Sequence, residues 1–167
     1  MKKLWLFVGA ILIVGFAGQP TPAQEKNIKL DVVKFDGLCQ EVNKHKGKVI
    51  VVDFWSNTCV PCIQGFPKLV KLHKKYSAKG LHIITVNTDT ADKKEIETAK
   101  GWLSKAKMPT QNLLLDENYL VLGEKLRVEG VPSVYVFNRQ GQWRHFADGV
   151  SPDELEKLIV KFLNEKK

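Results

Sequence analysis

The sequence predicts an α/β domain built on a central mixed β-sheet with helices on both faces. Three observations carry that expectation. Residues 49–54 and 81–86 are continuous apolar runs, the pattern of strands buried on both faces. Segments with helical periodicity lie between and after those runs. Two short strand-like segments flank the turn Arg139-Gln140-Gly141-Gln142 and precede a last amphipathic segment, so the sheet should end in an antiparallel hairpin closed by a helix.

Residues 1–23 stand apart from that domain. Lys2 and Lys3 form a basic start, residues 4–18 are uncharged and mostly apolar, and Thr21-Pro22-Ala23 ends in a small residue. This is the layout of a secretory signal cleaved after Ala23. The apolar run is short against the roughly 17–25 residues that a bilayer span needs, and an uncleaved N-terminal anchor is the alternative. No Cys follows the cut and Cys39 lies too far downstream, so a lipid-modified N-terminus is not expected. The expected location is the periplasm or the outer face of the cytoplasmic membrane. Residues 24–27 read as a polar linker, and residues 28–167 as the domain.

Within the domain, residues 28–33 alternate apolar positions and read as a short strand. Residues 36–45 form a helix carrying Leu38, Cys39 and Val42, which Gly47 ends. The strand at 49–54 contains one acid, Asp53. The next helix should open at Cys59-Val60-Pro61-Cys62 and run to about residue 79, with Phe66, Leu69, Val70, His73 and Tyr76 at helical spacing. Gly80 stops it, and the strand at 81–86 follows. Residues 93–107 read as a helix capped by Thr90 or Asp92 and broken by Met108-Pro109. Residues 113–115 form a short strand and residues 119–126 a helix. Strands at 133–138 and 143–147 flank the hairpin turn. Ser151-Pro152-Asp153-Glu154 is a capping box with proline at the first helical position, and Leu155, Leu158, Ile159 and Phe162 give the last helix its apolar face.

The chain has 26 basic and 18 acidic residues; without residues 1–23 it keeps 24 basic residues and a net charge of +6. In an exported protein such a balance reads as a lysine-rich solvated surface, and nucleic acid is not expected as a partner. The stripe Lys68, Lys71, Lys74 and Lys75 fits a solvated helix face that could guide acidic partners or lie near an anionic membrane surface.

Three cysteines are too few for a disulfide framework, and Cys59 and Cys62 stand too close to staple a fold. A pair that closes so small a loop stabilises little and opens easily, which favours redox chemistry. Cys39 reads as a small buried apolar side chain. A thiolate attacks disulfides and a thiol does not, so a cysteine at a helix N-terminus gains from the positive end of the helix dipole. A thiol pKa lowered from about 8.5 to about 7 raises the thiolate fraction at neutral pH from roughly 3% to 50%. Cys62, one turn further in and shielded, can then attack the mixed disulfide formed at Cys59. Zinc sites use the same two-residue spacing, but His45, His73, His82 and His145 share no metal-ligand spacing, and no metal or other cofactor is expected.

Val51-Val52-Asp53-Phe54-Trp55, followed by Cys59-Val60-Pro61-Cys62 and Pro67, resembles the active-site segment of the thioredoxin superfamily. Glu129-Gly130-Val131-Pro132-Ser133 is similar to that family's cis-proline loop, and Gly149 with the final helix to its C-terminal end. The signal-like start, the extra helix and strand between Asp92 and Asp116 (an insertion after the second core strand) and the Val-Pro dipeptide resemble the exported TlpA-like reductases, several of which serve cytochrome c maturation. The resemblance implies a thioredoxin-like fold and a protein-disulfide oxidoreductase cycling through a Cys59–Cys62 disulfide. It implies Cys59 as nucleophile, Cys62 as resolving thiol and Asp53 as the buried acid that manages the Cys62 proton. Trp55 and Pro61 would support the redox site, Pro132 would face the disulfide as a cis-proline, and the Val131 backbone would pair with an extended substrate. The implied partners are protein thiols and disulfides and a membrane electron donor, with the chain acting as a monomer.

Three positions depart from the family pattern. Thr58 replaces the usual aromatic residue before the first cysteine. Thr85 stands where a lysine would neighbour the buried acid. Gly65 stands where the TlpA-like group often has a glutamate. Three other readings compete with the enzyme: metal binding or delivery through the pair, a peroxidase using Cys59 alone, and an interaction module without turnover. Residues 52–59 lack the Pro-x-x-x-Thr-x-x-Cys pattern expected of a peroxiredoxin.

Overall fold

The computed structural model describes residues 28–165. The expected signal or anchor at 1–23 and the linker at 24–27 lie outside the described residues. The elements run β1 (Asp31–Val33), α1 (Phe35–Lys44), β2 (Val49–Trp55), α2 (Val60–Tyr76), β3 (Leu81–Asn87), α3 (Lys93–Lys105), β4 (Gln111–Leu115), α4 (Tyr119–Leu126), β5 (Ser133–Phe137), β6 (Trp143–Phe146) and α5 (Pro152–Asn164). They form one six-stranded sheet in the order β1-β4-β3-β2-β5-β6. The pairs β1–β4, β4–β3 and β3–β2 are parallel, whereas β2–β5 and β5–β6 are antiparallel. The mixed sheet with helices on both faces is the architecture that the sequence predicted.

The period-2 alternation of strands divides the core in two. Val49, Val51 and Trp55 of β2 join Ile83, Val134 and Val136 on one face, under Phe66, Leu69 and Val70 of α2, Leu103 of α3, and Leu155, Ile159 and Phe162 of α5. Ile50, Val52 and Phe54 point the other way with Ile84, Val86 and Leu113, under Leu38 of α1 and Leu122 of α4. Every residue of β2 is buried. Asp53 sits on the first face, between Val51 and Trp55 in the alternation, and is therefore carried into the core by the strand that holds the sheet together.

Three boundaries and the placement of one aromatic side chain depart from the sequence expectation in ways that local bonding explains. β1 covers three residues rather than 28–33, because the Asn112 side chain donates to the Lys29 carbonyl at 3.3 Å and replaces the strand ladder there. α2 ends at Tyr76, and a single 3-10 turn, Ser77–Lys79, leads to Gly80 at φ +100°. α3 stops at Lys105: Lys107 adopts φ +51°, and bonds from Lys107 N to the Ser104 carbonyl and from Met108 N to the Leu103 carbonyl close the helix as a Schellman motif. Trp143, placed on a packed strand, is half exposed although its ring lies 5.3 Å from that of Tyr135.

Asp92 caps α3 by accepting from Glu95 N at 3.0 Å, and the Thr90 hydroxyl in turn donates to Asp92. Ser151 caps α5 by accepting from Glu154 N at 3.3 Å. No described helix is long and apolar enough to cross a membrane.

Candidate active site

The C-terminal end of β2 and the N-terminus of α2 build the site. Cys59 is the N-cap of α2, and its Sγ accepts from Cys62 N at 3.3 Å. Pro61 sits in the first turn, where its missing N–H removes no helical bond, and no acid stands in that turn to offset the positive end of the helix. Cys59 and Cys62 form a disulfide with S–S 1.93 Å and Cα–Cα 5.3 Å. The two residues are almost equally buried, at 7% and 6% exposure, so shielding does not distinguish them as the helix position suggested. What distinguishes them is direction: Cys62 lines a cleft with Asp53, whereas Cys59 receives the helix N–H.

That open cleft of about 440 Å³ is lined by Asp53, Cys62, Gly65, Lys68, Pro132 and Leu155, among others. Gly65 is a mid-helix glycine at which a Cβ would meet nothing within 4 Å, so no packing requires it. Its absent side chain leaves the wall open, at a helix-propensity cost of about 1 kcal/mol against Ala. The Val131–Pro132 peptide bond is cis, and both residues are half-buried. Gly149 fixes the other wall: φ is +78°, and a Cβ there would stand 2.9 Å from Pro132 Cγ, so a side chain has neither the conformation nor the room.

Asp53 is 7% exposed, and burial pushes its carboxyl pKa up to about 7 from 3.8. No hydrogen bond or ion pair reaches the carboxylate among the described residues. Thr85 is its direct neighbour across the parallel pair, and its hydroxyl donates instead to Asn112 Oδ1 at 2.9 Å. The acid therefore lacks the cationic partner that a lysine at this position would supply. Trp55 is fully buried in the same packed cluster as both cysteines, with its ring edge-on to Phe66 at 5.0 Å and no partner for Nε1.

Cys39 lies on the opposite face of the sheet, half-buried and unpaired, and burial pushes its thiol pKa up. Among the described residues no group of three or more His, Cys, Asp or Glu side chains is arranged to hold a metal ion. His45 and His82 stack on each other at 3.5 Å, away from the pair.

The sequence reading missed Asn57. It is buried two residues before Cys59 and bonded to Asp89 and Glu95. In the sequence, Asn87-Thr88-Asp89-Thr90 reads as turn and helix-capping chemistry. The usable signal was a buried-strand end with two amide side chains, Asn57 and Asn87, facing an acid-bearing loop.

Residues 20–146 match the model of the AhpC/TSA family. Over 125 residues the chain is 29% identical to protein DipZ of Mycobacterium bovis, covering 73% of this chain and 18% of that one. Over 120 residues it is 29% identical to the thiol-disulfide oxidoreductase YkuV of Bacillus subtilis, covering 71% of this chain and 79% of that one. Among solved structures, the thioredoxin domain of a thiol-disulfide oxidoreductase from Bacteroides vulgatus matches with a TM-score of 0.62 at 28% identity, covering 74% of this chain and 84% of that chain. The chain spans only 18% to 62% of the length of several curated relatives that it matches. The fold is thioredoxin-like.

Proposed function

This chain belongs to the AhpC/TSA family, and from that premise we propose that it is a thiol–disulfide oxidoreductase that reduces protein disulfides through Cys59 and Cys62. The observation that carries the proposal is a disulfide at the N-terminus of a helix, with Cys62 lining a cleft shared with a buried, unpartnered acid.

In the reduced protein the Cys59 thiolate attacks one sulfur of a substrate disulfide, forming a mixed disulfide and expelling the other substrate sulfur as a thiolate. Cys62 passes its proton to Asp53, and its thiolate attacks Cys59 Sγ. The second substrate thiolate leaves and the Cys59–Cys62 disulfide forms, so two electrons have moved to the substrate. Pro132 borders the cleft where an extended substrate would lie, and the backbone of Val131, the residue before it, is the group that would pair with it. Trp55 and Pro61 hold the two ends of the site in place. The cycle needs no cofactor, and a dithiol donor returns the pair to its reduced state.

The basic start and apolar run of residues 1–23 support an exported protein, cleaved or anchored, working on the outer side of the cytoplasmic membrane. A membrane protein is then the fitting electron donor, and apocytochrome c thiols are a fitting substrate. The chain would act as a monomer.

Reduction of insulin disulfides by dithiothreitol provides the test. The wild type is expected to accelerate precipitation of the insulin B chain well above dithiothreitol alone, and Cys59→Ser to return the rate to background. A wild type no faster than background would refute the activity and favour an interaction module.

A further inference from the structure

We propose that Asn57 is a positioning residue for the redox pair: with Asp89 and Glu95 it straps the active-site loop to α3 and keeps Cys59 at the end of α2 when the disulfide is open. The inference rests on the reading of Cys59 as the attacking thiol.

The strap uses nearly all of the hydrogen-bonding capacity of Asn57. Its Nδ2 donates to the Glu95 carbonyl at 3.1 Å and to Glu95 Oε2 at 2.7 Å, and its Oδ1 accepts from Asn87 Nδ2 at 3.4 Å. Its backbone N donates to Asp89 Oδ2 at 2.7 Å. Asp89 is itself held, since Asn87 Nδ2 donates to Asp89 Oδ2 at 3.0 Å and Asp89 N donates to Asn87 Oδ1 at 2.9 Å. One residue earlier in space, Thr88 N donates to the Trp55 carbonyl at 2.9 Å. Asn57 is 9% exposed and Asn87 fully buried, so these bonds are sheltered from competing water.

The strap ends at Asn57. Beyond it, Thr58 is exposed and its side chain makes only a 3.4 Å contact with the Ser56 hydroxyl. In the oxidised protein the disulfide ties Cys59 to α2 directly. After reduction that covalent tie is gone. Cys59 is then tied to α2 by the bond from Ile63 N to its carbonyl at 3.1 Å, and the position of its sulfur over the helix end depends also on the loop before it, through the bond from Cys59 N to the Ser56 carbonyl. Stabilisation of a thiolate by a helix terminus fades within the first turn, so a loop that drifts by an ångström or two loses much of it. The insertion that contributes α3 is thereby part of the redox centre rather than an appendage to the sheet.

Charged groups surround the pair on several elements: Asp53 from β2, Lys68 from α2, Asp89 and Glu95 from the α3 side, and Asp148 before α5. A variant that removes a charge therefore needs a partner variant that removes the charge and keeps the bond. Glu95→Gln keeps a side-chain acceptor for Asn57 Nδ2, whereas Glu95→Ala removes the 2.7 Å bond and leaves only the backbone carbonyl.

The test is the pH midpoint for alkylation of Cys59 in the reduced protein, with the equilibrium against glutathione as a second readout. Asn57→Ala is expected to raise the midpoint by about half to one unit, making alkylation at pH 7 roughly three- to tenfold slower. The glutathione equilibrium should move toward the protein disulfide, because a less stabilised thiolate makes the pair more reducing. Glu95→Ala should lie above Glu95→Gln in midpoint, with Glu95→Gln at or slightly below the wild type. A folded Asn57→Ala protein with the wild-type midpoint and equilibrium would overturn the proposal, even if its thermal stability had fallen. Should Asn57→Ala not fold, coincident midpoints for the two Glu95 variants would overturn it equally. A wild-type midpoint at the ordinary thiol value would instead refute Cys59 as the activated nucleophile, which is a different failure.

Discussion

Replacing Asp53 by Asn is expected to slow release of the mixed disulfide by about ten- to a hundredfold near pH 7, while leaving its formation almost unchanged. The reason lies in where the carboxyl is and what it lacks. It is buried on the α2 face of β2, shares the cleft with Cys62 and has no charge partner, so its pKa is raised to about 7 by desolvation. A base of that strength accepts the Cys62 proton at neutral pH; an amide cannot. In the variant, release should follow only the titration of Cys62 itself, so the two pH profiles should separate most between about pH 6 and pH 8. Superimposable profiles would leave Asp53 as an ordinary structural acid.

The same shift fixes a stability effect of definite sign. A carboxyl whose pKa rises on folding keeps its proton in the folded state at a pH where the unfolded chain has already released it. Stability therefore falls as pH rises from the unfolded value of 3.8 to about 7, and is level above that. The full span corresponds to about 4 kcal/mol. Asp53→Asn removes this fall, whereas the pH-independent cost of burying an unpartnered amide is the same at pH 4 and pH 8. Denaturant unfolding of both proteins at those two pH values isolates the difference. An equal loss in both proteins would contradict the burial argument.

Alkylation should separate the three thiols of the reduced protein by at least about tenfold, with Cys59 fastest. Exposure does not predict this, since Cys59 and Cys62 are buried alike. The order comes from the N-cap position and from the N–H of Cys62 aimed at Cys59 Sγ at 3.3 Å. Cys39 is an internal reference, because burial first and then Asp36 raise its pKa. Equal rates at Cys59 and Cys62, read by mass spectrometry of the labelled peptides, would remove the basis for the order of attack.

Much of this was legible in the sequence because it is local. β2 announces itself by an unbroken apolar run, and Ser151-Pro152-Asp153-Glu154 does cap α5. The position of Asp53 inside that run already implied burial, and the missing lysine at Thr85 implied a raised pKa. What could not be read is what depends on partners far along the chain. Phe35 N at the start of α1 donates to Glu117 Oε1 at 2.9 Å, across a sequence gap of 82 residues. β1 is cut short by a side chain of β4, and α3 and α4 end with Lys107 and Arg127 in a left-handed conformation where a glycine would have been the visible signal. The strap through Asn57 joins residues 38 apart, and each of its members alone looks like turn chemistry.

Trapping of the mixed disulfide tests the central claim most directly. Exposed to disulfide-containing protein substrate, reduced Cys62→Ser should accumulate a covalent adduct through Cys59 that dithiothreitol releases. Reduced Cys59→Ser should accumulate none, because Cys62 is not at the N-cap and Cys39 is a half-buried thiol whose pKa burial raises. Adduct formed by Cys59→Ser and not by Cys62→Ser would reverse the roles, and adduct formed by neither would contradict thiol–disulfide exchange at this pair.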